Sequence, residues 1–296
     1  MKDSQWWDVS WNPVTGCTKV SAGCEHCYAK SMHDRFFQST PFEKVELHPE
    51  RLSKIDSTKP KVVFVDSASD LFHEKVPFEF ITECFSVMQR NPFHTFVVLT
   101  KRAKRMHEYF IWARESNPEW HLFYPLENVW LGVTAENQDM ADERIPYLLN
   151  TPAKHRFVSV EPMLGTVNME IAVRTDRGAY AYEVLTGKHW LFAPKPTIGN
   201  KLDLVICGGE TGKGARVMQL DWVRRLRDQC AAAHTPFFFK QWGEWVPDMN
   251  DSVMVRSRAT GIGRKLDGRE WNDLPWRKKA EPVKASAEVQ LSLEVK

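Results

Sequence analysis

The chain has 296 residues, of which 43% are hydrophobic and 12% aromatic, with 40 Lys and Arg against 38 Asp and Glu. This composition supplies a sizeable core and excludes a largely disordered chain. The formal net charge of +2 excludes histone-like binding through bulk charge. No apolar run approaches the roughly 18 residues of a membrane helix, and MKDSQWWDVSW lacks the apolar stretch of a secretory signal. We therefore expect a cytoplasmic protein with no membrane partner.

Short apolar runs alternate with helical stretches along most of the chain. Strands are predicted at residues 7–11, 62–65, 95–99, 129–133, 156–160, 203–207 and 236–240. Helices are predicted at residues 28–38, 78–90, 102–115, 139–150 and 221–234, the last with Asp221 as its N-cap. The strand runs are continuous rather than alternating, which is typical of a parallel sheet covered by helices. The predicted fold class is therefore α/β, a parallel (β/α) barrel that is partial and TIM-like, with a doubly wound open sheet as the alternative.

Two stretches interrupt the alternation and define the predicted domain organisation. Residues 166–201 hold several Gly and Pro and no clear crossover helix, so we predict an insertion after the fifth strand, with a hairpin that is a candidate lid. Residues 1–245 are predicted to form the barrel. Residues 246–276 are predicted to form an appendage with a hairpin turning at Asp267-Gly268, and residues 277–296 a flexible polar tail.

The cysteines are unevenly distributed. Three of the six, Cys17, Cys24 and Cys27, fall within eleven residues with the spacing C-x6-C-x2-C. In a cytosolic chain, clustered cysteines bind metal or perform chemistry more often than they form disulfides. The triplet follows the first predicted strand, at the edge where barrel active sites lie. Three thiolates can hold three irons of a 4Fe–4S cluster and leave the fourth iron open to a small ligand.

Zinc is the alternative metal. A structural zinc site normally takes four protein ligands. The candidates for the fourth are His26 inside the C-x2-C turn, His33 on the following helix and Cys207 at the end of a strand. The residue pattern alone leaves an iron–sulfur site, a zinc site and free or redox-active cysteines open.

Polar residues follow most of the predicted strands, where barrel enzymes place their catalytic groups. The series comprises Asp66, Lys101, Arg102, Glu136, Asn137, Glu161, Glu210, Lys240 and Gln241. Buried charges must be paired, so these residues either pair with one another in the barrel mouth or contact a ligand. We take Glu161, Glu210 and Lys240 as the catalytic candidates, the two glutamates for hydrogen bonding or proton transfer.

Two further motifs bear on phosphate and nucleic-acid binding. GGETGKGAR lacks the G-x4-G-K-[ST] spacing of a nucleotide-phosphate loop. LTKRAKRM places four basic residues at a helix start, and Arg224, Arg225 and Arg227 form a second basic group close in sequence to Trp242 and Trp245. Basic groups beside exposed aromatic rings suit nucleic acid, whereas a solvated helix face is the alternative.

The cysteine segment resembles that of the radical S-adenosylmethionine (SAM) superfamily, in which a three-cysteine loop follows the first strand of a parallel barrel. The usual spacing there is C-x3-C-x2-C with an aromatic residue before the last cysteine, whereas here the first gap is six and His26 takes the aromatic position. Roughly residues 6–275 resemble a phage-encoded, radical-SAM-like family of unknown function with a three-cysteine motif. The resemblance lies in SASDLFH, LTKRAKRM, NVWLGVTAEN, FVSVEPMLG, CGGETGKGAR and PFFFKQWG.

This resemblance implies a cofactor site. The three clustered cysteines would bind a 4Fe–4S cluster, and the amino and carboxylate groups of SAM would chelate its open iron. The residues implied in SAM binding are His26 near the adenine, Ser67 and Asp70 near the amino group, Thr134 and Glu136 at the ribose, and Gly208 and Gly209 at a close backbone approach. Residues 66–70 depart from the Gly-Gly-Glu pattern of the superfamily, so Ser67 and Asp70 are assigned by position alone.

The resemblance also implies an activity. It is the reductive cleavage of SAM to a 5′-deoxyadenosyl radical that takes hydrogen from a substrate, with a reducing electron donor as a partner. A nucleic acid or nucleotide, in a phage or defence setting, is the candidate substrate, and a protein encoded nearby is a further candidate partner. The alternatives are a zinc-binding α/β barrel with a hydrolytic or structural role, and a non-catalytic partner protein that retains the cluster.

Overall fold

The computed structural model describes residues 5–36, 40–55, 59–117, 119, 124–175, 178–190, 195–257 and 263–277. The helices are α1 (Tyr28–Phe36), α2 (Phe78–Arg90), α3 (Ala103–Ser116), α4 (Gln138–Asn150) and α5 (Leu220–Ala232). The strands are β1 (Val9–Trp11), β2 (Val14–Thr15), β3 (Glu46–Leu47), β4 (Val62–Val65), β5 (Thr95–Thr100), β6 (Val129–Thr134), β7 (His155–Val160), β8 (Glu170–Thr175), β9 (Gly178–Glu183), β10 (Lys188–His189), β11 (Thr197–Ile198), β12 (Leu204–Gly208), β13 (Phe237–Gln241), β14 (Trp245–Pro247), β15 (Met254–Arg256), β16 (Lys265–Leu266) and β17 (Arg269–Glu270). None of these helices combines the length and the apolarity that crossing a bilayer requires.

A seven-stranded sheet forms the centre of the molecule. Its order is β1-β4-β5-β6-β7-β12-β13, and every neighbouring pair is parallel. The sheet curls into a half-barrel flanked by helices, which confirms the predicted partial parallel barrel. Each predicted strand overlaps an observed strand with bounds that agree within two residues. The N-cap prediction was wrong, because α5 begins at Leu220 after Gln219, and Asp221 lies in its first turn.

Apolar side chains cover both faces of the sheet. The convex face packs against the helices in one large buried cluster. The concave face carries a second cluster of Trp6, Val62, Phe64, Val97, Trp130, Phe157, Leu204, Ile206, Phe238 and Leu274. Its eight strand residues are all among the first three of their strands, so the cluster fills the half-barrel toward the amino ends of the strands. The opposite edge, at the carboxyl ends, is left for polar groups.

The C-terminal segment completes this core. The hairpin predicted at Asp267-Gly268 is confirmed, since β16 and β17 pair around these two residues, and both have positive φ angles. The amide of Phe239 in β13 donates to the carbonyl of Trp271 at 2.9 Å, so the segment covers the edge of the sheet. The Trp276 ring lies 4.8 Å from that of Trp130 in the concave cluster. Residues 263–276 of the predicted appendage therefore pack on the barrel, and residues 278–296 of the predicted tail lie outside the described residues.

Replacing Trp276 by Ala is expected to lower the free energy of unfolding by roughly 2–4 kcal/mol, at or just below the range for fully buried aromatic residues, because the ring is partly buried. Trp276 also donates from Nε1 to the carbonyl of Trp6 at 3.2 Å, and this bond would be lost. Urea unfolding measures the change. The matched control is Phe93→Ala, since Phe93 is 54% exposed and should change stability by less than about 0.5 kcal/mol. Equal losses in both variants would show that Trp276 is not part of the core.

The insertion forms a small antiparallel sheet in the order β11-β10-β9-β8. The hairpin was predicted within residues 175–190, and it is confirmed as the antiparallel pair β9 and β10. It occupies the crossover between β7 and β12 and packs on α4 and α5. Asn200 donates to the carbonyl of Leu149 in α4 at 2.8 Å, and the amide of Met169 donates to Gln229 in α5 at 2.7 Å. The insertion therefore packs on the helices in the place where a crossover helix would lie between β7 and β12. This packing does not support the predicted lid.

Candidate functional site

The three clustered cysteines line one cavity of about 130 Å³ at the carboxyl ends of β4, β5 and β6. All three are free and partly exposed. The polar residues that share the cavity are Tyr28, Asp66, Ser67, Ser69, Asp70, Thr100, Lys101, Arg102 and Thr134. The cavity therefore joins the predicted metal ligands to residues from three strand ends, because the carboxyl ends of parallel strands meet at one edge.

The cysteine loop, residues 16–27, has a defined backbone conformation. Gly16 has φ +80°, and a Cβ at this position would lie 2.2 Å from the carbonyl oxygen of Lys44. Only glycine therefore fits directly before the first cysteine. The amide of Cys17 donates to the carbonyl of Phe42 at 3.0 Å, and α1 begins at Tyr28, directly after Cys27.

The first support of the cysteine loop is the ion pair of Asp70 and Arg102, whose atoms Oδ2 and Nη1 are 3.1 Å apart. Arg102 donates from Nη2 to the carbonyl of Thr18 at 3.1 Å. Asp70 also accepts from the Thr100 hydroxyl at 2.7 Å. Both charged residues are buried. Asp70 was predicted to bind SAM, but its oxygens are occupied in holding Arg102 and the end of β5.

The second support is Glu136, which is fully buried. It accepts hydrogen bonds from the Ser21 hydroxyl and, at 3.1 Å, from the Gly23 amide, both in the cysteine loop. Arg144 donates to its other oxygen at 2.9 Å. Burial acts to raise the pKa of Glu136, but the Ser21 hydrogen bond and the Arg144 charge outweigh it and hold the pKa below its usual value. Both oxygens are in use, so the predicted contact with a ribose is not supported.

The third support is the pair of Glu210 and Arg216, with Oε1 and Nη2 2.5 Å apart. Arg216 donates from the same nitrogen to the carbonyl of Ala22 at 3.0 Å. Glu210, predicted as catalytic, therefore also positions the cysteine loop. His26 lies beside this pair, with Nδ1 3.9 Å from Glu210, and packs on Gly214, where a Cβ would lie 2.9 Å from its ring. His26 is absent from the lining of the cysteine cavity, so the structure does not place it with the other predicted SAM contacts.

The remaining catalytic candidates form a separate pair. Lys240 donates to Glu161 at 2.7 Å, and both side chains are about one-fifth exposed. No hydrogen bond joins either of them to the cysteine loop among the described residues. A Cβ at Gly208 would lie 3.1 Å from the Glu161 carboxyl, and one at Gly209 would lie 1.9 Å from the carbonyl of Trp242. These glycines make room for groups of the protein itself, which corrects the prediction that they admit a ligand.

Ser67 and Thr134 remain in the predicted place. Both line the cysteine cavity. The Ser67 hydroxyl donates to Asn12 at 3.2 Å, and the carbonyl of Thr134 accepts from Arg144 at 2.9 Å. The hydroxyl of Thr134 has no described partner, so it is available to a ligand in the cavity.

The sequence did not single out Asp66 as a cofactor residue, although it lies directly after β4. Its side chain lines the cavity and is almost fully buried. Oδ1 accepts from the Val14 amide at 3.0 Å, whereas Oδ2 has no hydrogen-bond partner among the described residues. Burial raises the pKa of this carboxyl to about 8. A buried carboxylate oxygen with no partner is a signal that only the structure provides.

The family model described as "Protein of unknown function (DUF5131)" matches residues 2–275. The chain belongs to this family. The matched range runs from before β1 to the segment that covers β13, so the DUF5131 unit includes the insertion and the C-terminal hairpin. No curated protein and no solved structure matches the chain.

Burial also acts on the thiols of this DUF5131 chain. It raises the pKa of Cys17 to about 11, assisted by the negative charge of Asp70 and partly opposed by Arg102. Cys17 is therefore a neutral thiol near pH 7 in the metal-free protein. Because the thiolate is the metal ligand, any metal that binds here must displace this proton.

The proposed fourth zinc ligands do not converge on the cavity. Cys207 is buried on the convex side, where its Sγ lies 3.7 Å from the sulfur of Met163. The His33 ring packs against Phe42, with ring centroids 5.4 Å apart, and neither His33 nor His26 lines the cavity. Among the described residues, no group of three or more His, Cys, Asp or Glu side chains is arranged to hold a metal ion.

Two of the three arginines of the second basic group pair with acidic residues. Arg224 lies 2.5 Å from Asp251 and 2.6 Å from Asp267, and Arg227 also pairs with Asp267. Arg225 is exposed and makes no ion pair among the described residues. Trp242, expected to be an exposed aromatic residue beside this group, is 3% exposed, and Trp245 is partly buried. This group therefore keeps one unpaired arginine, whereas strand-binding surfaces combine several cations with exposed rings.

The basic residues of LTKRAKRM have separate roles. Arg102 is buried in the first support of the cysteine loop. Arg105 donates to the carbonyls of His73 and Val76 at 3.2 and 2.7 Å. Only Lys104, whose side chain is 70% exposed, has the solvated position expected of a phosphate contact.

Proposed function

We propose that the protein is a radical SAM-like enzyme that holds a 4Fe–4S cluster on Cys17, Cys24 and Cys27 and binds SAM beside it. The observation that carries the proposal is that the three thiols share one cavity at the carboxyl ends of neighbouring parallel strands. When bound, these groups would supply one-electron cleavage of SAM and a radical that removes a hydrogen atom from a substrate. A reducing protein would have to supply the electron.

The chemistry of the donor set supports an iron–sulfur cluster. Thiolate sulfur is the ligand that these clusters take, and the cavity contains three thiols and no imidazole. Three ion pairs hold the backbone of the loop that carries the thiols, at Thr18, at Ser21 and Gly23, and at Ala22. A loop fixed in this way loses little further conformational freedom when it takes up a cofactor.

Two ionisable groups in the cavity fit the methionyl end of SAM, which carries one ammonium and one carboxylate. Asp66 has a carboxyl oxygen without a hydrogen-bond partner among the described residues. It is protonated in the empty cavity because of burial, and an ammonium group beside it would favour its ionised form. Lys101 lines the same cavity, and the ion pairs of the described residues do not include it, so its ammonium can meet a carboxylate. Asp66 follows β4 and Lys101 follows the adjacent strand β5, so one ligand that carries both charges can reach both groups. Ser67 and Thr134 add two hydroxyl groups.

Glu161 and Lys240 are the groups proposed to exchange protons with the substrate. The carboxylates of Asp70, Glu136 and Glu210 hold the cysteine loop. Glu161 and Lys240 pair with each other and are partly exposed, and Lys240 also lies over the Trp7 ring. A nucleotide-sized substrate suits the site better than a nucleic-acid strand, because two of the three arginines expected to bind a strand pair with acidic residues.

Replacing Cys24 by Ala is expected to abolish the brown chromophore of anaerobically reconstituted protein, since the cluster would lose one of three protein ligands. The wild type should contain about four irons and four acid-labile sulfides per chain. The matched control is Cys84→Ala, because Cys84 is buried on α2 and should leave the chromophore unchanged. A brown spectrum that persists in the Cys24→Ala protein would refute the metal assignment.

The SAM part of the proposal has its own test. Reduced, cluster-loaded protein is incubated with SAM, and 5′-deoxyadenosine is measured by chromatography. Formation of this product supports the enzyme. A loaded cluster without the product supports the non-catalytic partner protein instead, and one zinc per chain without sulfide supports the zinc-binding alternative.

A further inference from the structure

The guanidinium of Arg102 uses all of its N–H groups. Nε donates to Glu74 at 3.0 Å, and Nη2 donates to the carbonyl and hydroxyl of Thr18 at 3.1 and 3.0 Å. Nη1 donates to Asp70 at 3.1 Å and to the sulfur of Cys17 at 3.5 Å. The side chain is 4% exposed. An arginine fixed on this many partners cannot turn away from the thiol, because its planar fork moves as one rigid group.

The contact singles out one of the three cysteines. Among the described residues, no side chain donates a hydrogen bond to the sulfur of Cys24 or Cys27. Glu136 and Arg216 hold the same loop, but through the hydroxyl and amide of Ser21 and Gly23 and the carbonyl of Ala22. Arg102 is therefore the described cation that both supports the loop and contacts a metal-binding sulfur.

We propose that Arg102 sets the reduction potential of the metal centre through its N–H···S hydrogen bond to Cys17. This inference rests on the proposed function, since it requires the cluster to be present. A hydrogen bond to a ligand sulfur withdraws electron density from it, and a nearby positive charge stabilises the added electron, so both effects raise the potential. Arg102 is in this sense a positioning residue, because it acts on the centre through Cys17.

The test compares Arg→Lys substitutions at two arginines that each hold the cysteine loop, Arg102 at Thr18 and Arg216 at Ala22. Arg102→Lys keeps the charge beside Asp70 but cannot maintain the fork of bonds to Cys17, Thr18 and Glu74. Arg216→Lys changes a loop support that contacts no sulfur. We expect Arg102→Lys to shift the reduction equilibrium of the reconstituted centre about tenfold toward the oxidised form, which is about 59 mV for one electron. Arg216→Lys should leave it unchanged. The measurement is an anaerobic redox titration followed by electron paramagnetic resonance.

A second variant keeps the inference testable if Arg102→Lys does not fold. Glu74 is 61% exposed at its side chain, so Glu74→Gln removes a negative charge from beside Arg102 without burying an unpaired group. It should shift the equilibrium the other way, toward the reduced form. Equal shifts of the reduction potential in Arg102→Lys and Arg216→Lys would show that the rigidity of the loop sets the potential, and this result would overturn the inference. An unchanged potential in Arg102→Lys or in Glu74→Gln would also overturn it. If wild-type protein takes up no iron and sulfide, the proposed function itself fails.

Discussion

Glu136→Ala is expected to lower the free energy of unfolding by about 3–5 kcal/mol, the range found when one partner of a buried ion pair is removed. Arg144 would remain 2% exposed without its carboxylate, and the amide of Gly23 would lose its acceptor. The cysteine loop would lose its bonds at Ser21 and Gly23 and would keep the Arg216 bond to the carbonyl of Ala22. We expect the variant to unfold at lower urea concentration and to retain less iron after reconstitution.

The matched control is the same substitution at a partly exposed pair. Glu161→Ala removes the partner of Lys240, whose side chain is 21% exposed, so water can reach the ammonium that remains. The loss of unfolding free energy there should be smaller than at Glu136. Comparable losses in both variants would contradict the role of Glu136 as the buried support of the loop.

Local sequence patterns were sufficient to predict the strands of the central sheet. Runs such as VVFV at β4 are buried on both faces, so composition alone marks them. The hairpin at Asp267-Gly268 was also predictable, because the dipeptide suits two consecutive positive φ angles. In contrast, the pairing of Trp271 with Phe239 and the packing of Trp276 on Trp6 join distant parts of the chain, and no local pattern specifies such a contact.

The candidate site was likewise predictable only where local patterns and the topology specify it. The spacing of the cysteines and the position of Thr134 after its strand predicted that they would lie together, since the topology alone brings strand ends to one edge. The ion pairs of Glu136 and Glu210 were not predicted, because their partners, Arg144 and Arg216, come from the following helix or loop. Buried charges must pair, and both glutamates are paired in this way.

Asp66 makes stability depend on pH in the opposite sense to Glu136 and Glu210, whose pKa values lie below their usual value. Its pKa is about 8 in the folded protein because of burial, whereas that of an unfolded Asp is about 3.9. Between these values the folded state keeps a proton that the unfolded state has lost. Stability from this group is therefore fully present below pH 4 and is lost as the pH rises toward 8, by about 1.4 kcal/mol per pH unit.

Asp66→Asn should remove this dependence. Asparagine is neutral at every pH, can accept from the Val14 amide as Oδ1 of Asp66 does, and tolerates the left-handed backbone, where Asp66 has φ 52°. We expect the stability of the variant relative to the wild type to rise by about 1.4 kcal/mol per unit between pH 5 and pH 8. Urea unfolding at four pH values in this range measures the difference.

The difference between the two proteins isolates Asp66 from other titrating groups. Burial lowers the pKa of His73, which reduces stability as the pH falls below about 6.5, but His73 is present in both proteins and its effect cancels. Asp70→Asn is the contrasting variant, because it leaves the buried Arg102 with only the exposed Glu74 and should destabilise the protein at every pH. If the difference in unfolding free energy between the wild type and Asp66→Asn stayed constant from pH 5 to pH 8, Asp66 would already be ionised in this range. The buried carboxylate would then have a counter-charge in the folded protein.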